Sequence, residues 1–151
     1  MKQVSRALQY IADDSGSPME TRLAILLVLP FGLGDYGFPL PEMNKRIDPK
    51  TVMSTKSNKQ FYKCDLFWKD YDLAAEYDST RYHSDSRNIA SDSIRRGDLP
   101  LSGIDVVTVT DKQVNGVEEF DKVARQLASK IDRRIKIRNP QFEARQQELL
   151  N

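Results

Sequence analysis

The chain has 151 residues, 39% of them apolar and 30% charged, with a formal net charge of +1. That length supports one domain with a real core, and so small a net charge gives no global field for nucleic acid or membrane, so either partner must meet a local patch. The single cysteine, Cys64, excludes a disulfide framework and a cysteine-based zinc site and fits a cytoplasmic location; the longest apolar run, Leu23 to Pro30, is too short to span a bilayer, and no signal-peptide pattern is present.

Val4, Leu8 and Ile11, with Ala7 and Ala12 beside them, predict a short amphipathic helix over Gln3–Ala12, broken by Asp13-Asp14-Ser15-Gly16. Ser17-Pro18-Met19-Glu20 is a helix start: Ser17 caps, Pro18 suits the first helical position, and Glu20 completes an S-x-x-E capping box. Thr21 to Leu29 is apolar on nearly all sides, so that helix is buried, and Pro30, Gly32, Gly34 and Gly37 end it in a loop. Pro39 to Ile47 is proline-led and then extended, a first strand. Asp48 to Ser57 is polar and turn-like. Lys59–Trp68 and Leu73–Tyr77 read as a strand pair joined by a turn at Lys69 to Asp72.

Ser84–Arg96 has helical spacing, with Ile89, Ala90 and Ile94 facing in. Ile104–Thr110 is β-branched and bounded by turns, a buried strand. Val117–Ile131 is an amphipathic helix with Phe120, Val123, Ala124, Leu127 and Ile131 on one face, and Gln141–Leu150 is a polar terminal helix. A helix-strand-strand-strand-helix-strand-helix order with a strand–helix–strand unit predicts an α/β fold: a mixed sheet of about four strands with helices packed on it. By stretch, 1–16 is a helical lead-in, 17–131 the domain, and 132–151 a basic extension.

The chemistry gathers between Asp65 and His83, the latter the only histidine. Residues two apart in a strand share a face, so Glu76 and Asp78 point one way and Tyr77 the other. If the two strands pair across the tight turn, Asp65 lies beside Glu76. Carboxylates that close repel unless a cation sits between them, and Mg²⁺ or Mn²⁺ is the hard cation that oxygen ligands select. Each acid also has a plainer role open to it. Glu20 can serve only as the capping acid, Asp65 and Glu76 can face solvent at a sheet edge, and Asp78 can cap the turn before Ser79-Thr80.

Asp65, Ala75-Glu76-Tyr77-Asp78-Ser79, His83, Asp92-Ser93-Ile94-Arg95-Arg96, Leu99, Gly103 and Val106 to Thr110 follow one another in an order that resembles the very-short-patch-repair (Vsr)-like endonuclease domains of the PD-(D/E)xK restriction-endonuclease-like superfamily. Ser17-Pro18-Met19-Glu20 and Leu40 to Asn44 match the usual lead-in, and the resemblance spans roughly Ser17 to Ile131. It implies a metal-dependent DNA endonuclease fold, a restriction-endonuclease-like sheet. The family's first acid then maps onto Asp65, its second onto Glu76, its first-helix acid onto Glu20, and the histidine after the strand onto His83. Where the wider superfamily keeps a lysine two residues after the second acid, this chain has Asp78, as the short-patch-repair relatives also lack that lysine. His83 is then available as a general base or a contact to the scissile phosphate.

Basic side chains supply phosphate contacts. Asp92, Arg95 and Arg96 lie on one helix, either as a surface ion pair of little energetic weight or with an arginine gripping a carboxylate or a DNA phosphate bidentately, a face that Arg87, two turns before Arg95, can join. Lys122 to Arg138 is a basic run, in which Arg133, Arg134 and Lys136 track a nucleic-acid backbone or form a solvated face. The sequence therefore predicts a Mg²⁺- or Mn²⁺-dependent DNA endonuclease, with RNA also compatible, no membrane partner, and a homodimer as one way to cut both strands. The alternative is a catalytically inactive nuclease-fold module that binds DNA or regulates, as the C-terminal part of a longer protein.

Overall fold

The computed structural model describes residues 2–29, 36–47, 62–79, 103–131, 141, 144–145 and 147–148. Two helices lead, α1 (Lys2–Asp14) and α2 (Pro18–Val28), followed by strands β1 (Glu42–Ile47), β2 (Tyr62–Trp68), β3 (Leu73–Asp78) and β4 (Asp105–Thr110). Two more helices close the described domain, α3 (Asp111–Asn115) and α4 (Val117–Lys130). The sheet has four strands in the order β1-β2-β3-β4. The β1–β2 and β2–β3 pairs are antiparallel and β3–β4 is parallel. The fold is thus α/β with a mixed sheet and packed helices, as the order of the segments implies.

The elements follow from local chemistry. Ser17 caps α2 by accepting the Glu20 N–H at 3.2 Å, and Pro18 opens the helix where its missing N–H costs nothing. Leu23, Ala24, Leu26 and Leu27 of α2 are all buried, so this helix anchors the core. Ile11 of α1 and Phe120, Val123, Ala124 and Leu127 of α4 join it against Leu66, Leu73, Ala75, Val107 and Val109 of the sheet. A smaller apolar group, Ile47, Cys64, Phe67, Ala74 and Ile104, lies on the opposite face. Gly37 and Phe38 return the chain by donating to Leu29 and Leu27 carbonyls at 2.7 and 2.8 Å. Trp68 Nε1–H donates to the Pro39 carbonyl at 2.7 Å.

Several boundaries differ from the sequence expectation. β1 begins at Glu42, because Pro39 and Pro41 have no N–H for a ladder. α1 continues through Asp14, two residues beyond the expected break. β3 reaches Asp78. The β2–β3 turn is a 3-10 turn over Lys69–Tyr71, closed by Asp72 at φ 45°. α3 was not expected. Its start is a capping box in which Gln113 Oε1 accepts the Thr110 N–H at 2.9 Å. The expected helix at Ser84–Arg96 and most of the terminal segment fall outside the described residues. No helix among the described residues is long and apolar enough to cross a membrane.

Candidate active site

β3 sits between β2 and β4, and its acids come from strand alternation. Leu73, Ala75 and Tyr77 belong to the helix side of the sheet, whereas Ala74 belongs to the other face. Glu76 and Asp78 therefore point away from the helices. Both are buried, at 8% and 7% exposure, and Oε1 of Glu76 has essentially no solvent contact. Carboxylates this deep are costly unless a cation or hydrogen-bond donors compensate them. On β4, Thr108 stands in register with Glu76 and Thr110 with Asp78.

Asp65 comes to the same level from β2. The β2–β3 pairing Leu66↔Ala75 is the last of its ladder, and one step further would set Asp65 against Glu76. At that step a side chain replaces the backbone: Oδ2 of Asp65 accepts the Tyr77 N–H at 2.8 Å. The half-buried Asp65 carboxylate thereby satisfies a backbone donor of a central strand.

The neighbouring strand pair turns over at the same place. Met43 and Leu66 are cross-strand partners in the helix-side core, yet Ile47 and Cys64, an even number of residues away on each strand, belong to the opposite face. Regular strands keep such residues on one face. The turnover falls at Asn44 and Asp65, which stand opposite each other between the pairs Met43↔Leu66 and Lys45↔Cys64. Asn44 has φ 49°, a left-handed conformation that asparagine adopts more readily than most residues.

Glu20 joins this point through Asn44. Its Oε2 accepts the Gly16 N–H at 2.8 Å and the Asn44 Nδ2–H at 3.1 Å. The same Asn44 amide donates to the Asp14 carbonyl at 2.8 Å. The expected reciprocal capping box is thus shifted by one residue: Glu20 reaches back to Gly16, while the Ser17 N–H turns to Ser15 Oγ at 3.4 Å. Asn44 was missed by sequence reasoning. The signal available was an asparagine inside a strand, where it is disfavoured.

Tyr77 closes the helix side. Its hydroxyl donates to Asp111 Oδ1 at 3.2 Å, at the start of α3. Burial, then the Asp111 hydrogen bond and charge, then Asp78 raise the Tyr77 pKa.

Asn44 thus ties Glu20 to the strand position opposite Asp65, Asp65 reaches β3 at Tyr77, and Glu76 and Asp78 lie buried on the face of β3 away from the helices. The donors are all oxygens, which suits a hard divalent cation. Among the described residues, no three histidine, cysteine, aspartate or glutamate side chains form a group that could hold an ion. The oxygen pair Asp65 and Glu76 still fits Mg²⁺, which commonly takes one or two carboxylates and completes its shell with water and substrate phosphate. His83, Arg87, Asp92, Arg95, Arg96, Arg133, Arg134 and Lys136 lie outside the described residues.

No protein-family model matches the sequence, and no solved structure matches it. Two uncharacterized proteins of Mycobacterium tuberculosis, one from strain CDC 1551 / Oshkosh and one from strain ATCC 25618 / H37Rv, are each 27% identical over 130 residues, or 85% of this chain. The chain spans 42% of the length of each of these relatives.

Proposed function

We propose that the chain is a metal-dependent DNA endonuclease domain, with a restriction-endonuclease-like fold of the Vsr-like kind. The observation that supports this is Asp65 bound to the Tyr77 N–H, next in the chain to the buried Glu76, where the β2–β3 ladder ends. Asp65 and Glu76 would hold Mg²⁺ or Mn²⁺, with Asp78 assisting. When bound, such an ion supplies an activated water and neutralises charge on the phosphate being cleaved. Glu20, fixed through one oxygen, is available to orient water, and His83 to take its proton or contact the scissile phosphate. Arg87, Arg95, Arg96, Arg133, Arg134 and Lys136 would hold the nucleic-acid backbone.

A second reading has its own support. Asp65 already has a structural partner in the Tyr77 N–H, and Asp78 stands where the wider superfamily keeps its lysine. Both favour a nuclease-fold module that binds nucleic acid without cutting it. Purified protein with plasmid DNA, single-stranded DNA or RNA, with Mn²⁺ or with chelator, separates the two. The endonuclease predicts nicking of DNA that chelator abolishes. Salt-sensitive binding without cleavage in any metal supports the module, and preferential cutting of RNA reassigns the substrate.

A further inference from the structure

We propose that Asn44 is a positioning residue of this site: from the turnover opposite Asp65 its carboxamide holds one oxygen of Glu20 and leaves the other for chemistry. The role rests on the nuclease function proposed above. A capping acid needs only a backbone N–H near its own helix start, and Gly16 supplies it at 2.8 Å. The Asn44 bond is additional and comes from a strand 24 residues away. Both donors take the same atom, Oε2. Oε1 of Glu20 receives no hydrogen bond among the described residues, so the carboxylate is held at one end and available at the other.

Asparagine suits the position twice over. It tolerates the φ of 49° that turns β1 over, and its amide nitrogen carries two protons, one each for the Asp14 carbonyl and Glu20. The packing leaves little slack. A Cβ on Gly16 would lie 3.0 Å from Glu20 Oε2 and 3.1 Å from Asn44 Oδ1. Three segments, the α1–α2 turn, the first turn of α2 and β1, thus meet at one carboxylate oxygen. The strand that supplies Asn44 is the one paired with Asp65.

The test uses the full chain and Mn²⁺-dependent plasmid nicking, with kcat, KM and Tm measured for each protein. Asn44→Gly keeps the left-handed backbone and removes the amide. Asn44→Asp keeps the backbone tolerance and replaces a donor with a carboxylate facing Glu20. Both are expected to lower kcat by about 10- to 100-fold, the usual cost of losing a partner behind a reacting group, with KM changed less than about twofold. Asn44→Asp loses at least as much as Asn44→Gly. In a Glu20→Gln background, Asn44→Gly lowers kcat no further, because residues acting through one another are not additive. A loss through unfolding would instead be the same multiple in both backgrounds, and that outcome overturns the proposal. An active wild type with an unimpaired Asn44→Gly overturns the positioning role alone. A wild type that cleaves nothing in any metal overturns the nuclease function and the positioning role with it.

Discussion

Replacing Asp65 by alanine and by asparagine separates its structural duty from its chemical one. The structural duty includes a hydrogen bond: Oδ2 accepts the Tyr77 N–H at 2.8 Å, in a part-buried setting where the β2–β3 ladder has ended. Asp65→Ala leaves that donor without its acceptor, which costs about 1–3 kcal/mol. For a chain of this size, 1 kcal/mol corresponds to about 2–4 °C, so Asp65→Ala is expected to lower Tm by roughly 2–12 °C, most simply by the middle of that range. Asp65→Asn keeps a carbonyl oxygen able to accept the same proton. It exchanges a charge-assisted bond for a neutral one, a difference of about 1 kcal/mol, and should lie within about 4 °C of the wild type. The charge itself matters for the cation, so both variants should lose metal-dependent cleavage by roughly 100-fold or more. Thermal unfolding by circular dichroism and plasmid nicking, run on the same preparations, give the comparison. If Asp65→Asn is as unstable as Asp65→Ala, or retains wild-type cleavage, the division between the two duties is wrong.

Other consequences are as direct. Glu76→Gln removes a charge that is 8% exposed; the stabilisation that Mg²⁺ adds to the wild type should disappear in it, read as a Tm that no longer rises with added Mg²⁺. Tyr77 titrates with a raised pKa, so the unfolded chain ionises first near pH 10; stability is fully present below that pH and falls as pH rises through it toward the folded pKa. Tyr77→Phe should lose this alkaline decline in a Tm-against-pH series, at a cost of about 1 kcal/mol at neutral pH from the Asp111 bond. Gly16→Ala forces the contacts at 3.0 and 3.1 Å apart; a drop in stability of about 1–3 kcal/mol with lowered kcat is expected, whereas unchanged stability would show that the α1–α2 turn can yield.

Much of this arrangement is written locally. β4 is readable because Val106, Val107 and Val109 are β-branched and bounded by turns, and the β2–β3 turn because Asp72 can adopt the left-handed conformation it shows at φ 45°. Ser17-Pro18 fixes the start of α2 because serine caps it and proline suits the first helical position. The opposed faces of Tyr77 and its acidic neighbours follow from a period of two. The parts that were not legible are non-local. Glu20 was recognisable as a capping acid, but its bond to Asn44 spans 24 residues. The substitution of Asp65 for a backbone acceptor depends on where a ladder stops, which no residue of β2 announces. α3 is only five residues long, too short for a hydrophobic period, although Thr110 and Gln113 carry its capping-box spacing.

The proposed nuclease chemistry depends on the carboxylates of Asp65 and Glu76, and the decisive measurement is a calorimetric titration of Mn²⁺ into the metal-free protein. Asp65 and Glu76 acting together predict one ion bound per wild-type chain, with that binding lost in both Asp65→Asn and Glu76→Gln while each remains folded. Wild-type binding that survives unchanged in both variants would contradict it.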